Sequence, residues 1–194
     1  MWQAIGGRLP RIWSSDVPNN APLTWRAALW LLSLGVASVL LHMAARDRID
    51  LAPGYQGIGW IALLMIGRTT SRTRWAGVTT AIGSSGASMV PAFGFSDPFR
   101  WLMPLLAGAA LDLTYWLLQN WQNKVWLLAL LGGLAHMTKP LSRVVISEFT
   151  GWPYGSLLWG VAYPSATHFI FGALGAAIGA GAIWAWKRRT AKGK

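Results

Sequence analysis

The feature that most constrains this chain is the distribution of its charges: from Gly151 to Trp186 there is no Asp, Glu, Lys or Arg, and the stretch ends abruptly at Lys187-Arg188-Arg189. A run of that length in water would have to be buried on every side, which a chain of 194 residues can seldom arrange more than once. Further charge-free intervals run from Ala27 to Ala45, Leu51 to Gly67, Trp75 to Ser96 and Val125 to Thr138, and another from Trp101 to Asn123 is broken only by Asp112. Each approaches the roughly 20 residues that cross a ~30 Å hydrocarbon layer at ~1.5 Å per residue. The pattern predicts an all-α integral membrane protein, six transmembrane helices in a single bundle. The mean hydropathy of +0.38 is low for that class, but 14 Trp, 22 Gly and 10 Pro depress it, and all three are at home in membrane helices or at their interfaces.

A net charge of +11 invites a nucleic-acid reading, since basic chains attract phosphates without a motif. The placement of the charges favours topology instead. With the N-terminus inside, twelve Lys and Arg fall on inner segments (8, 11, 26, 68, 72, 74, 124, 187, 188, 189, 192, 194) and five on outer ones (46, 48, 100, 139, 143). By the positive-inside rule both termini lie in the cytoplasm of a cell-membrane, multi-pass protein, and no nucleic-acid partner is expected. Residues 1–23 read as a cytoplasmic or interfacial segment, 24–186 as the transmembrane domain and 187–194 as a basic cytoplasmic tail. The absence of cysteine excludes disulfides, thiolate metal sites and cysteine nucleophiles. Nothing near the start has the form of a cleavable signal.

Helix 1 is expected from Thr24, an N-cap residue type, to about Ala45, and helix 2 from Leu51 to Gly67 with Pro53 in its first turn. Helix 3 falls within Trp75 to Ser96, helix 4 ends near Gln119, helix 5 runs from Lys124 to about Ile146, and helix 6 begins near Ser156. Ser33 and Ala37 put two small residues one turn apart on helix 1. The Gly175-xxx-Gly179 pair does the same on helix 6, and Gly83 to Ser88 form a small-residue patch on helix 3, for which close helix contact is the plain explanation and a cavity lining the other.

Asp112 is the one acid inside an apolar segment, so it must face the bundle interior. Counted from the turn between helices 4 and 5, Asp112 and His136 lie at similar depth, and His168 lies near the midplane of helix 6, so the three side chains are placed to meet at one level. Hydrogen bonding across packed helices accounts for them as well as ligand binding does; a metal site gains no support from ligand spacing. Nearer the outer side, Lys139 and Arg143 are four apart on one face of helix 5, opposite a segment carrying Trp159 and Tyr163. Cations and aromatics around an outward cavity suit a small ligand with a ring and an anionic group, and an interfacial belt with snorkelling cations equally. No signature of a hydrolase, zinc protease or phosphate-binding loop is present, so the chain is read as a non-enzyme with no cofactor and no metal; any ATP hydrolysis belongs to partner subunits.

The size, six helices, inward termini and small-residue face on helix 1 resemble the substrate-binding S components of energy-coupling factor vitamin transporters. That family docks a transmembrane coupling subunit through an Ala-xxx-Ala face on helix 1, matched here by Ser33 and Ala37 with Ser in the first position. The resemblance implies uptake of a vitamin or cofactor precursor, of the cobalamin, thiamine-precursor, riboflavin or biotin class. It also implies partnership with a coupling subunit and two ATPases, or action as a solitary S-like transporter. Substrate-binding positions are then Asp112, His136, Lys139, Arg143, Trp159, Tyr163 and His168. The competing expectations are a proton-coupled secondary transporter with Asp112 as carrier, and an intramembrane metal-dependent enzyme using Asp112, His136 and His168.

Overall fold

The computed structural model describes residues 21–46, 52–118, 124–158 and 160–192. Among them are six α-helices and no strand: α1 (Trp25–Arg46), α2 (Gly57–Thr70), α3 (Ala76–Ser88), α4 (Leu102–Leu117), α5 (Val125–Thr150) and α6 (Ala162–Lys192), with short 3-10 turns at Pro91–Phe93 and Gly155–Leu157. Successive helices run in opposite directions. The start of α1, the α2–α3 link and the end of α6 share one end of the bundle, here called proximal, where Ala21 N–H donates to the Arg72 carbonyl. The α1–α2, α3–α4 and α5–α6 links form the distal end.

Local chemistry explains most boundaries. Thr24 caps α1 as expected, its Oγ1 accepting from Ala27 N–H at 3.3 Å. Helix α3 stops at Ser88, well short of Ser96, because Pro91 opens a separate turn that closes on Gly94 at φ +65°. Helix α5 runs four residues beyond Ile146 and ends on Gly151, whose φ of +69° supplies a left-handed cap. Helix α6 begins at Ala162 rather than near Ser156, and α2 at Gly57 rather than Leu51, so each has a longer distal lead-in than its apolar run suggests. The basic residues expected as a tail continue α6 as far as Lys192. The interfacial segment expected before Thr24 lies, up to residue 20, outside the described residues.

Helix α2 is the central element, packed against α1, α3, α5 and α6. Its Ile61, Leu64 and Met65 are fully buried and meet Leu111, Leu128, Leu131, Ala176 and Ala180. Two helices, Trp25–Arg46 of 22 residues and Ala162–Thr190 of 29, are long and apolar enough to cross a membrane. Only 28% and 33% of their most apolar windows are buried, whereas the core helix of a water-soluble bundle would be mostly covered. Leu29, Trp30, Val36, Leu40 and Leu41 on α1, and Ile170, Leu174 and Ile178 on α6, are exposed. Exposed apolar faces of that kind mark surfaces suited to contact with lipid or another protein.

Glycine sets the closeness of the helices. A Cβ on Gly35 would fall 2.0 Å from the Thr80 carbonyl oxygen, and one on Gly83 would fall 2.3 Å from that of Leu32, so α1 and α3 touch backbone to backbone. Gly175 and Gly179 do the same against α2, where their Cβ atoms would lie 2.4 Å from the Ile58 and Ala62 carbonyl oxygens. The small-residue pair read in the sequence of helix 6 is thus the seam with α2.

Candidate functional site

The distal end holds a partly open cavity walled by α1, α2, α3, α4, α5 and the α3–α4 link. Its polar lining comes from Ser38 and His42 on α1, Gln56 and Gly57 at the start of α2, Ser84 and Ser88 on α3, Asp97 and Arg100 on the link, and His136, Lys139 and Arg143 on α5. Trp60, Val39, Met103 and Pro104 supply apolar wall. The floor is a hydroxyl network. Ser84 Oγ donates to the Gly35 carbonyl at 3.1 Å and accepts from Trp60 Nε1 at 3.3 Å, with Ser38 Oγ 2.8 Å away. The small residues of α3 therefore serve both roles that their sequence left open, packing at Gly83 and lining at Ser84 and Ser88.

Three cations and one acid surround this space. The Lys139 ammonium makes neither a hydrogen bond nor an ion pair with any described residue, while its backbone carbonyl accepts from Ser142 Oγ at 2.9 Å. Arg143 donates from Nη1 to Ser156 Oγ at 3.0 Å and lies 5.2 Å from the Tyr154 ring centre, while its buried Nε finds no acceptor among the described residues. Arg100 donates from Nη2 to His42 Nε2 at 3.1 Å, which makes that imidazole nitrogen an acceptor and the ring neutral; its guanidinium also sits 3.3 Å from the Phe95 ring centre. Burial and the neighbouring Arg143 pull the Arg100 pKa down to about 10, leaving it charged at neutral pH. Asp97 accepts from Phe99 N–H at 2.9 Å and from the Tyr154 hydroxyl at 3.3 Å. Burial, then the Asp97 charge beside it, pushes the Tyr154 pKa up to about 12, so the phenol remains a donor. Phe99 meets Trp152 edge-on at 6.4 Å, and the α3–α4 and α5–α6 links thereby form one rim.

His136 sits beneath the cavity. Its Nε2 lies 3.2 Å from the Gly54 carbonyl oxygen and so carries the proton, leaving buried Nδ1 an acceptor with no partner among the described residues. Its ring lies 4.7 Å from that of His168 and 5.5 Å from Trp60. His168 Nδ1 donates to the Pro164 carbonyl at 2.7 Å, which fixes the second ring.

Of the positions expected from sequence, His136, Lys139 and Arg143 come together in the cavity, and His168 supports His136 from behind. Tyr163 is at the exposed start of α6 and does not line it, and Trp159 lies outside the described residues. Asp112 does not join the histidines. It receives Gly77 N–H and Val78 N–H at 2.8 Å each and pairs with Arg68 at 3.5 Å, capping the first turn of α3 near the proximal end. The equal-depth estimate fails because α4 stops at Leu117, which puts Asp112 ~8 Å from its helix end while His136 is ~16 Å from the start of α5. Among the described residues no group of three or more His, Cys, Asp or Glu converges to hold a metal ion.

Arg100, Asp97, His42 and Trp60 were not among the expected site residues. His42 lies one turn before Arg46 at the end of α1 and reads as an interfacial residue, Trp60 lies in an apolar run, and the other two lie on a link whose fold follows no period. Ser33 and Ala37 turn away from α3, with Ser33 exposed and Ala37 half-buried. Comparison of the chain with known protein families, curated proteins and solved structures returns no match.

Proposed function

We propose that this chain is a multi-pass cell-membrane protein, both termini cytoplasmic, that captures a vitamin or cofactor precursor in its distal cavity and passes it inward. It acts in the manner of the S components of energy-coupling factor transporters. The observation that carries the reading is a polar, partly open cavity set into one end of a bundle whose flanks are apolar. A binding site in a bundle belongs between facing helices, with few polar groups on a largely apolar wall. The chain itself performs no catalysis in this reading. Energy comes from a coupling subunit and two ATPases where they are present, and the face of α1 that carries exposed Ser33 and half-buried Ala37 is the docking surface for them.

The proton-carrier alternative is the weaker one, because Asp112 is engaged by two backbone N–H groups and Arg68 and does not line the cavity. The metal-enzyme alternative needs Asp112, His136 and His168 together, and Asp112 is held elsewhere.

The test is mass spectrometry of small molecules that co-purify with the protein, followed by binding titration and by uptake into proteoliposomes. A retained cofactor-like compound that binds at micromolar concentration or tighter supports the reading. A protein that retains nothing and takes up none of the cobalamin, thiamine-precursor, riboflavin or biotin compounds offered to it refutes it.

A further inference from the structure

We infer that the cavity selects an organic anion, a ring-bearing molecule whose carboxylate or phosphate is held by Lys139 with Arg100 and Arg143 around it. The inference rests on the capture reading above and names its substrate class. Arg100, Lys139 and Arg143 face the space against Asp97 alone, and the three neutral polar walls from Ser38, Ser84 and Ser88 add no negative charge. Asp97 attracts the cations through space but leaves two positive charges in excess: its carboxylate accepts from the Phe99 N–H and the Tyr154 hydroxyl, and it makes no close ion pair with any described residue. Three cations drawn together against a single acid cost electrostatic energy that an arriving anion would offset.

The donors are also shaped for an anion. Lys139 brings three N–H donors that no described residue uses, and Arg143 Nε is buried without an acceptor among the described residues. Arg100 and Arg143 are held from behind by His42, Phe95, Ser156 and Tyr154, so they are positioned before a ligand arrives. Trp60 lies across the wall, with its indole N–H tied to Ser84, and offers a fixed ring against which a ligand ring can pack. An anion at this depth could be a free solute or the headgroup of a lipid, and both present the same oxygens.

The test titrates benzoate, phenyl phosphate and benzamide, which share a ring and differ in charge, into the full chain in nanodiscs of phosphatidylcholine. Isothermal calorimetry should show at least one anion binding at concentrations up to the order of 10 mM and benzamide about tenfold weaker or absent. Lys139→Met should reduce the anion to the benzamide level. Asp97→Asn, which keeps an acceptor for Tyr154, should tighten the anion severalfold and guards against misfolding of the first variant. Repeating the titration with phosphatidylglycerol in the disc separates the sources: competition assigns the site to a headgroup, and undiminished binding to a free solute. Benzamide binding as well as both anions, anion binding unchanged in Lys139→Met, or no anion binding at all overturns the inference. Uptake of an uncharged precursor in proteoliposomes would then leave the capture reading standing without it.

Discussion

At the scale of single residues, Arg68 and Asp112 decide more than any other pair. Each is almost completely buried, the guanidinium reaches the Thr73 carbonyl as well as the carboxylate, and the Tyr115 ring lies 4.3 Å from it. Asp112 in turn ends α3 by accepting its first N–H groups, where the helix dipole favours negative charge. One ion pair therefore ties α2, the α2–α3 link, α3 and α4 together. Asp112→Ala should cost about 3–5 kcal/mol, because it strands a buried cation, and Arg68→Met should cost a similar amount. The double variant Arg68→Met/Asp112→Leu should recover part of the loss, read as the thermal midpoint of the detergent-solubilised protein. Single variants as stable as the parent would show that the pair does not hold the proximal end. A second residue-scale prediction concerns Gly57, where a Cβ would fall 2.0 Å from His136 Nε2. Gly57→Ala should displace that imidazole, destabilise the protein by about 1–3 kcal/mol and weaken whatever the cavity binds. Asp112 was recognisable from sequence as an interior group, since an isolated acid in an apolar run has few other places to go. Its partner was not: Arg68 stands among Arg72 and Arg74 and reads as one more inner-loop cation until the fold brings it against α4.

At the scale of elements, α1 carries two faces with different duties. Gly35 and Ser38 lie in the seam with α3, while Ser33 and Ala37 lie away from it. The two faces give opposed predictions on one helix. Gly35→Leu should separate α1 from α3, collapse the hydroxyl network at Ser38 and Ser84, and abolish both stable folding and ligand binding. Ser33→Leu or Ala37→Leu should leave the thermal midpoint and ligand binding at parental values and impair uptake, as expected of a docking face. Loss of binding in the latter pair, measured by calorimetry, would move the face into the fold's own packing. Helix existence was legible because charges punctuate the chain at nearly every turn between helices. Helix ends were less so. Charge-free intervals include the distal lead-ins at residues 53–56, 89–96 and 151–161, and these links turn on Pro91, Gly54, Gly94, Gly151 and Gly160 rather than on any charge. The α3–α4 link also carries Asp97 and Arg100, so two of the cavity's four charged residues fall where hydrophobic periodicity carries no information.

At the scale of the molecule, the question is which end of the bundle faces out. The cavity opens at the distal end, and the proximal end gathers Arg26, Arg72, Arg74, Lys187, Arg188 and Arg189. A membrane with anionic lipids on its cytoplasmic leaflet should hold the proximal end inside, since each basic residue near that surface contributes about 1 kcal/mol. Capture from outside requires the same orientation, so the charge asymmetry and the proposed function stand or fall together. The natural chain has no cysteine, which lets single thiols report on it without background. Gly155→Cys sits on the exposed distal rim, at a glycine with open space around its Cβ position and no positive φ. Thr190→Cys sits in the exposed basic end of α6. In intact cells a membrane-impermeant maleimide should label the first and spare the second, and permeabilisation should expose both. The reverse pattern would place the cavity on the cytoplasmic side, where it would serve release or sensing of an internal solute, and capture from outside would have to be abandoned even if the fold and the anion site survived every other test.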